Sequence, residues 1–175
     1  MTIPSALQNS VLPILLNGKT VEQIRESPSA SGIVLEQYKI YVEMADRISS
    51  RRLTANSFFL TLNSAIVTLG GYAALRFDTP LPPPIAIAAS VAGSTLCIVW
   101  HRLLASYRDL NSAKFKIIHE IEKVLPLSPY DAEWQAVGRG KNPAKYLPLT
   151  HLEVTVPWVF LVLHLGAFII PLILH

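Results

Sequence analysis

Long uncharged stretches alternate with charged segments along this chain. The first covers residues 53–75, the second runs from about residue 84 to residue 100, and the third occupies residues 154–175. A transmembrane helix needs about 17–25 apolar residues, at about 1.5 Å per residue, to cross a bilayer core. The pattern therefore predicts an all-α membrane protein with three transmembrane helices, TM1 (53–75), TM2 (84–100) and TM3 (154–175).

The link between TM1 and TM2 is rich in proline, with Pro80, Pro82, Pro83 and Pro84 close together. Proline cannot continue a helix and restricts the residue before it, so the chain must turn here. TM1 and TM2 are therefore expected to form an antiparallel hairpin.

Apolar residues recur at spacings of three and four in the charged segments next to the hairpin, which is the pattern of a helix that buries one face. Before TM1 these residues, the first seam, are Val34, Tyr38, Tyr41, Ala45 and Ile48. After TM2 they form a second seam of Leu103, Tyr107, Leu110, Ile117, Ile121 and Val124. No proline or glycine separates either seam from its transmembrane helix. The hairpin, residues 33–125, should thus extend into a helical stalk formed by residues 33–52 and 101–125.

The remaining segments differ in composition from the hairpin. Residues 1–32 are expected to form an N-terminal segment and linker. Residues 126–153, which contain several prolines and glycines, are expected to form a connection that folds against the stalk. Only 15% of residues are charged, against about 25% in soluble domains.

The basic residues are distributed unevenly. All except Arg76 lie within residues 1–52 or residues 101–153. Because Lys and Arg accumulate on the cytoplasmic side, both segments are predicted to face the cytoplasm, with the C-terminus on the opposite side. Trp100, next to His101 and Arg102, is expected to anchor TM2 at the bilayer surface.

Several segments resemble those of a known family. In chain order they are TANSFFLTLNSAI, WHRLLASYRDLNSAKFKIIHEIEKVLP, PYDAEW and YLPLTHLEVTVPWVF. Together, over roughly residues 35–160, they resemble the RipA family of small octameric bacterial membrane proteins. The resemblance implies a symmetric homo-octamer in the bacterial inner membrane. Combined with the distribution of basic residues, this predicts a cytoplasmic N-terminus and a periplasmic C-terminus. That family has no agreed biochemical activity, so the resemblance assigns no catalytic residue.

Small residues follow one face of TM2. Ala86, Ser90 and Ser94 recur every four residues, and Ala89 and Gly93 form a second pair beside them. Small side chains let helices approach closely, which favours association in lipid. The contact predicted is either within the subunit's own hairpin or between subunits, and an octamer would need both.

Polar side chains inside the predicted spans are candidates for function. Asn56 and Asn63 are seven residues apart on one face of TM1, and His164 lies in the middle of TM3. An unsatisfied amide is costly in hydrocarbon, so these groups must face protein or water. Hydrogen bonding between helices is one interpretation; lining a hydrated path, with His164 as a proton relay or pH sensor, is the other.

Charged groups near TM3 are expected to fix its start. We predict that Glu153 pairs with a stalk base, Arg108 or Lys114. The nearby histidines and carboxylates, His151 with Glu153 and His119 with Glu120 and Glu122, lack the spacing of a metal site. No metal or cofactor is predicted, and the absence of an activated-nucleophile motif argues against an enzyme.

Two functions remain from these observations. One is a homo-oligomeric membrane scaffold or partner-binding assembly with a cytoplasmic helical ring. The other is an oligomeric pore for ions or small solutes, lined by Asn63 or His164. The expected partners are further copies of the chain and membrane lipids, with no nucleic acid, and the sequence identifies no protein partner.

Overall fold

The computed structural model describes residues 14–76, 82–141, 144–146 and 149–174, and all regular structure in these ranges is helical. The predicted all-α class is confirmed. The α-helices are α1 (Val21–Arg25), α2 (Pro28–Arg76), α3 (Pro83–Glu122), α4 (Pro129–Ala136), α5 (Leu149–Glu153) and α6 (Val156–Leu174), with a short 3₁₀ turn at Gly138–Gly140. Residues 77–81 of the predicted proline-rich turn lie outside the described residues, as do residues 1–13.

The two longest helices, α2 and α3, have 49 and 40 residues. Each begins at a proline, which is favourable in the first turn because its missing N–H has no helical partner there. Each then continues without interruption across the boundary between a charged and an uncharged stretch, α2 from charged to uncharged and α3 from uncharged to charged. Nothing in either sequence stops the helix, since neither has a proline beyond its first turn.

Among the described residues, two helices are long and apolar enough to cross a membrane, over Ser29–Ala73 of α2 and Pro83–Glu122 of α3. A shorter apolar segment, Val156–Ile169, lies in α6. Two of the three predicted crossings therefore have the length and composition required, and the third stays a prediction.

The chain divides into two compact units. The first contains the described residues of Met1–Ile48 and Leu110–Leu147, and the second those of Ser49–Asp109 and Pro148–His175. In the first unit Tyr38 contacts Glu122 and Tyr41 contacts Lys114. Within this unit, later residues of α2 thus meet earlier residues of α3, the antiparallel direction expected of a hairpin.

The second unit has an aromatic core. Phe59, Trp100 and Leu104 are buried, and Leu96, Leu103, Val154, Val156 and Phe160 pack against them. The rings of Phe59 and Trp100 are stacked with centroids 6.0 Å apart. Trp100 has no exposed surface, so the prediction that it anchors TM2 at the bilayer surface is wrong.

The two predicted seams differ in outcome. On α2, Ala45 is buried and the other seam residues are half-buried, as expected. On α3, Leu110 is 49% exposed, whereas Ile118 is fully buried. Ile121 of the predicted seam is buried, but the buried face of α3 also includes Lys114 and Glu122, two charged side chains that a hydrophobic pattern assigns to the surface.

Candidate functional site

A buried polar cluster joins α2, α3 and α6 in the second unit. Its members are Asn63, Cys97 and His164, which are 0%, 1% and 4% exposed. His164 Nε2 lies 3.0 Å from Asn63 Oδ1, and Cys97 Sγ lies 3.3 Å from the same oxygen. An amide oxygen only accepts hydrogen bonds, so this geometry requires a hydrogen on Nε2 of His164. The cluster connects one polar side chain from each of three helices.

The amide nitrogen of Asn63 is also satisfied. Its Nδ2 donates to the backbone oxygen of Phe59 at 2.9 Å, one turn earlier on α2. Both ends of the Asn63 side chain therefore have protein partners inside the protomer. Such pairing removes the cost of placing an amide in an apolar environment.

The second predicted asparagine lies beside the aromatic core. Trp100 Nε1 donates to Asn56 Oδ1 at 3.1 Å. A buried tryptophan needs a partner for its N–H, and Asn56 supplies it from the neighbouring helix. The two asparagines of α2 thus bond to two different positions on α3.

The small residues of α3 do not all share one environment. Ser90 and Gly93 are buried, Ala86 and Ser94 are half-buried, and Ala89 is exposed. A Cβ at Gly93 would lie 2.4–2.6 Å from three atoms of the His164 ring. The imidazole therefore rests directly on the α3 backbone, so that Gly93 contacts its own subunit while Ala89 remains available to a neighbour.

Glu153 has a different partner from the two that were predicted. Its Oε2 lies 3.3 Å from Nε of Arg52, and both side chains are largely buried, at 14% and 12% exposure. This contact is an ion pair without hydrogen-bond geometry. Arg52 precedes TM1 directly, so the pair ties the start of TM1 to the residues before α6.

The two bases predicted for Glu153 make other contacts. Arg108 Nη2 lies 3.0 Å from Asp109 Oδ1, and Lys114 Nζ lies 4.4 Å from the centre of the Tyr41 ring. Lys114 is 8% exposed, and its contact with Tyr41 is a cation–π interaction. The sequence shows where the charged residues lie along the chain but not which helix faces pack together, and for this reason the pairing with Arg52 was not predicted.

The helices and the matching family agree on a membrane setting. Residues 35–173 match the sequence profile of the octameric membrane protein family (8xMP). The chain belongs to this family. No match to a curated protein or to a solved structure was found. The narrower resemblance to the RipA family stays a prediction.

In this octameric-family protein, the first unit contains a second buried polar cluster, around Glu122. Glu122 is 1% exposed and accepts from the hydroxyl of Tyr38 at 2.9 Å. It also accepts from the backbone N–H groups of Tyr130 and Asp131, at 2.9 and 3.0 Å. These N–H groups belong to the first turn of α4, whose own N-cap residue Ser128 makes no capping bond.

Glu122 thus caps α4 from another helix. Two backbone donors and the positive end of the helix dipole stabilise its carboxylate. Burial, and then the hydrogen bond to Glu122, raise the pKa of Tyr38 above its ordinary value. The pKa of Tyr130 is raised as well, first by burial and then by Asp46. In the sequence Glu122 was considered only in a cluster that lacks the spacing of a metal site, and its capping role was missed. The Ser128-Pro129 pair, typical of a helix start, is the sequence signal that points to α4.

Among the described residues of this octameric-family protein, no group of three or more His, Cys, Asp or Glu side chains is placed to hold a metal ion. The side chain of His151, predicted as a neighbour of Glu153, lies outside the described part of the structure. The buried polar cluster of Asn63, Cys97 and His164 is therefore the main candidate site in the second unit.

Proposed function

We propose that the protein is a homo-octameric scaffold of the bacterial inner membrane that presents its charged helices to partners. The observation that carries the proposal is the hydrogen bond between Asn63 and His164 within one protomer. Each is almost fully buried, and each bonds to the other. Polar groups used in this way hold the subunit together and leave the membrane surface for lipid and for neighbouring copies.

The surface of the second unit supports self-association. Phe58, Leu69, Val91 and Val162 are each at least 60% exposed in the isolated protomer. Side chains of this kind require lipid or another subunit around them. The name of the matching family, which describes its members as octameric, supports an assembly of eight subunits.

The lengths of α2 and α3 support a role beyond anchoring. At about 1.5 Å per residue they span roughly 70 and 60 Å, about twice the thickness of a bilayer core. The excess length carries most of the charge. In the proposal, TM1 and TM2 form the hairpin, residues 33–52 and 101–125 form the stalk, and eight stalks form a cytoplasmic ring. TM3 crosses once more, leaving the C-terminus in the periplasm.

A pore is the second candidate, and one feature of α2 favours it. Hydroxyl side chains recur at alternating spacings of four and three along a single face: Ser50, Thr54, Ser57, Thr61, Ser64 and Thr68. Within the protomer all of them are exposed or half-exposed. In an octamer whose axis is hydrated, this hydroxyl face, rather than Asn63 or His164, would line the path.

Reconstitution separates the two candidates. The mass of the assembly is measured in nanodiscs, and ion and solute flux is measured in proteoliposomes containing the same preparation. The scaffold proposal expects an octamer without flux. A monomeric mass would contradict it.

A matched pair of substitutions on α2 tests any flux that is observed. Thr61→Leu removes a hydroxyl from the exposed face, and Leu60→Ala alters a neighbouring exposed position without touching that face. Flux that falls with the first substitution and persists with the second would establish the pore.

A further inference from the structure

A groove of about 430 Å³ lies in the second unit, within the usual size range of small-molecule sites. One helix, α2, forms most of it, and Tyr107 of α3 contributes the remaining wall. The lining residues are Ser50, Arg51, Thr54, Ala55, Phe58, Phe59 and Tyr107. One end of the α2 wall is therefore polar and charged, and the other is aromatic.

This polarity follows the direction in which α2 enters the bilayer. Arg51 lies two residues before the uncharged stretch begins, and Phe59 lies two turns inside it. From Ser50 to Phe59 the helix advances about 13 Å. The charged end is thus at the depth of lipid headgroups, and the aromatic end is at the depth of the first acyl carbons.

Two neighbouring arginines are used differently at this position. Arg52 is paired with Glu153 and is mostly buried. Arg51 is exposed, and no ion pair or hydrogen bond connects it to another described residue. The groove therefore contains a cation whose charge the described part of the protomer does not neutralise.

In the described part of the second unit, both carboxylates already have a basic partner, so a second copy offers Arg51 no unpaired one there. The acidic residues of the second unit are Asp78, Asp109 and Glu153. Asp109 is paired with Arg108, and Glu153 is paired with Arg52. Asp78 lies outside the described residues, beyond the far end of the uncharged stretch. An anion from the lipid is the better complement to Arg51.

We infer that the groove binds one anionic phospholipid per subunit. The guanidinium of Arg51 holds the phosphate, as arginine does in other phosphate sites. The hydroxyls of Ser50 and Tyr107 supply further donors, since Thr54 already donates to the backbone oxygen of Ser50 at 3.1 Å. The start of an acyl chain lies against Phe58 and Phe59. The inference needs only a membrane setting and is compatible with the scaffold proposal, whereas a lipid in the groove would cover Ser50 and Thr54 of the hydroxyl face that the pore candidate uses.

Native mass spectrometry of the purified assembly tests the site, with phosphatidylglycerol and phosphatidylcholine added separately as probes. The wild-type protein should retain phosphatidylglycerol about five- to tenfold better, the effect of one well-placed arginine on an anionic headgroup. Arg51→Gln should reduce this ratio to near one. Arg102→Gln, which removes the same charge from an exposed position outside the groove, should leave the ratio unchanged.

A further variant addresses the shape of the groove. Ala55→Leu fills the middle of the wall and keeps every charge, so it should weaken retention of both lipids. Equal retention of the two lipids by the wild type would overturn the inference. So would equal losses in the Arg51 and Arg102 variants, which would indicate diffuse attraction. Dissociation of the Arg51 variant into monomers that retain phosphatidylglycerol would assign the groove to a neighbouring copy.

Discussion

Substituting Gly93 by alanine tests the contact between α3 and α6. The added methyl group would lie 2.4 Å from Cε1 of His164, and ordinary van der Waals contact begins at 3.4 Å. The imidazole would have to retreat by about 1 Å, which would lengthen the 3.0 Å contact with Asn63 beyond hydrogen-bonding distance. One methyl group thus disturbs packing and hydrogen bonding together.

The expected cost combines three effects. Forcing extra volume into a packed site costs about 1–3 kcal/mol. Losing an interhelical hydrogen bond in a membrane protein costs about 0.6 kcal/mol on average and about 1.7 kcal/mol at most. Alanine in place of glycine in a helix returns about 0.5–1 kcal/mol. The net destabilisation should be about 1–3 kcal/mol.

Gly71→Ala provides the matched control on α2. A Cβ at Gly71 has no atom within 4 Å, so this substitution should be neutral or slightly stabilising. The free energy of unfolding is measured for both variants by reversible denaturation in mixed micelles. The measurement is repeated in a His164→Ala background, where the added methyl group no longer meets a ring.

The coupling free energy between Gly93→Ala and His164→Ala tests whether the two residues are in contact. Gly93→Ala should be clearly less costly when His164 is absent, because the two effects share one contact. The proposed geometry would be refuted if Gly93→Ala were as harmless as Gly71→Ala. It would also fail if the penalty were the same with and without His164.

Three further predictions concern the charged clusters. Glu122→Ala should destabilise the first unit by about 3 kcal/mol, because three partly buried donors lose a charged acceptor. Glu133→Ala, at an exposed position, should change thermal unfolding little. Burial and Glu122 raise the pKa of Tyr38, so the stability that depends on the neutral hydroxyl should be intact below about pH 10 and decline as the pH rises further. Tyr38→Phe should flatten that decline in a series of circular dichroism melts. An unchanged slope would contradict the assignment. Glu153→Arg should lower the melting temperature, and adding Arg52→Glu should restore part of it if the pair is as close as 3.3 Å.

Periodicity determined much of the helical framework. The uncharged runs 53–75 and 84–100 contain no proline after Pro84 at the start of the second run. They allow little besides long helices, because lipid demands that every backbone group bond within its own segment. The polar residues Asn56, Asn63 and His164 were also visible, since each interrupts an apolar run. What each of them bonds to was left open between protein and water.

The long-range contact partners of these side chains were known only from the tertiary structure. Glu122 lies in a charged helix that a hydrophobic pattern turns outward, yet it is buried because α4 supplies two N–H donors to it. Arg52, rather than Arg108 or Lys114, lies beside Glu153 because their helix faces meet, and spacing along one helix does not encode that. Gly93 accommodates the ring of His164, 71 positions later in the chain. Sequence patterns specify how a helix presents its residues, whereas long-range contacts depend on which faces pack together.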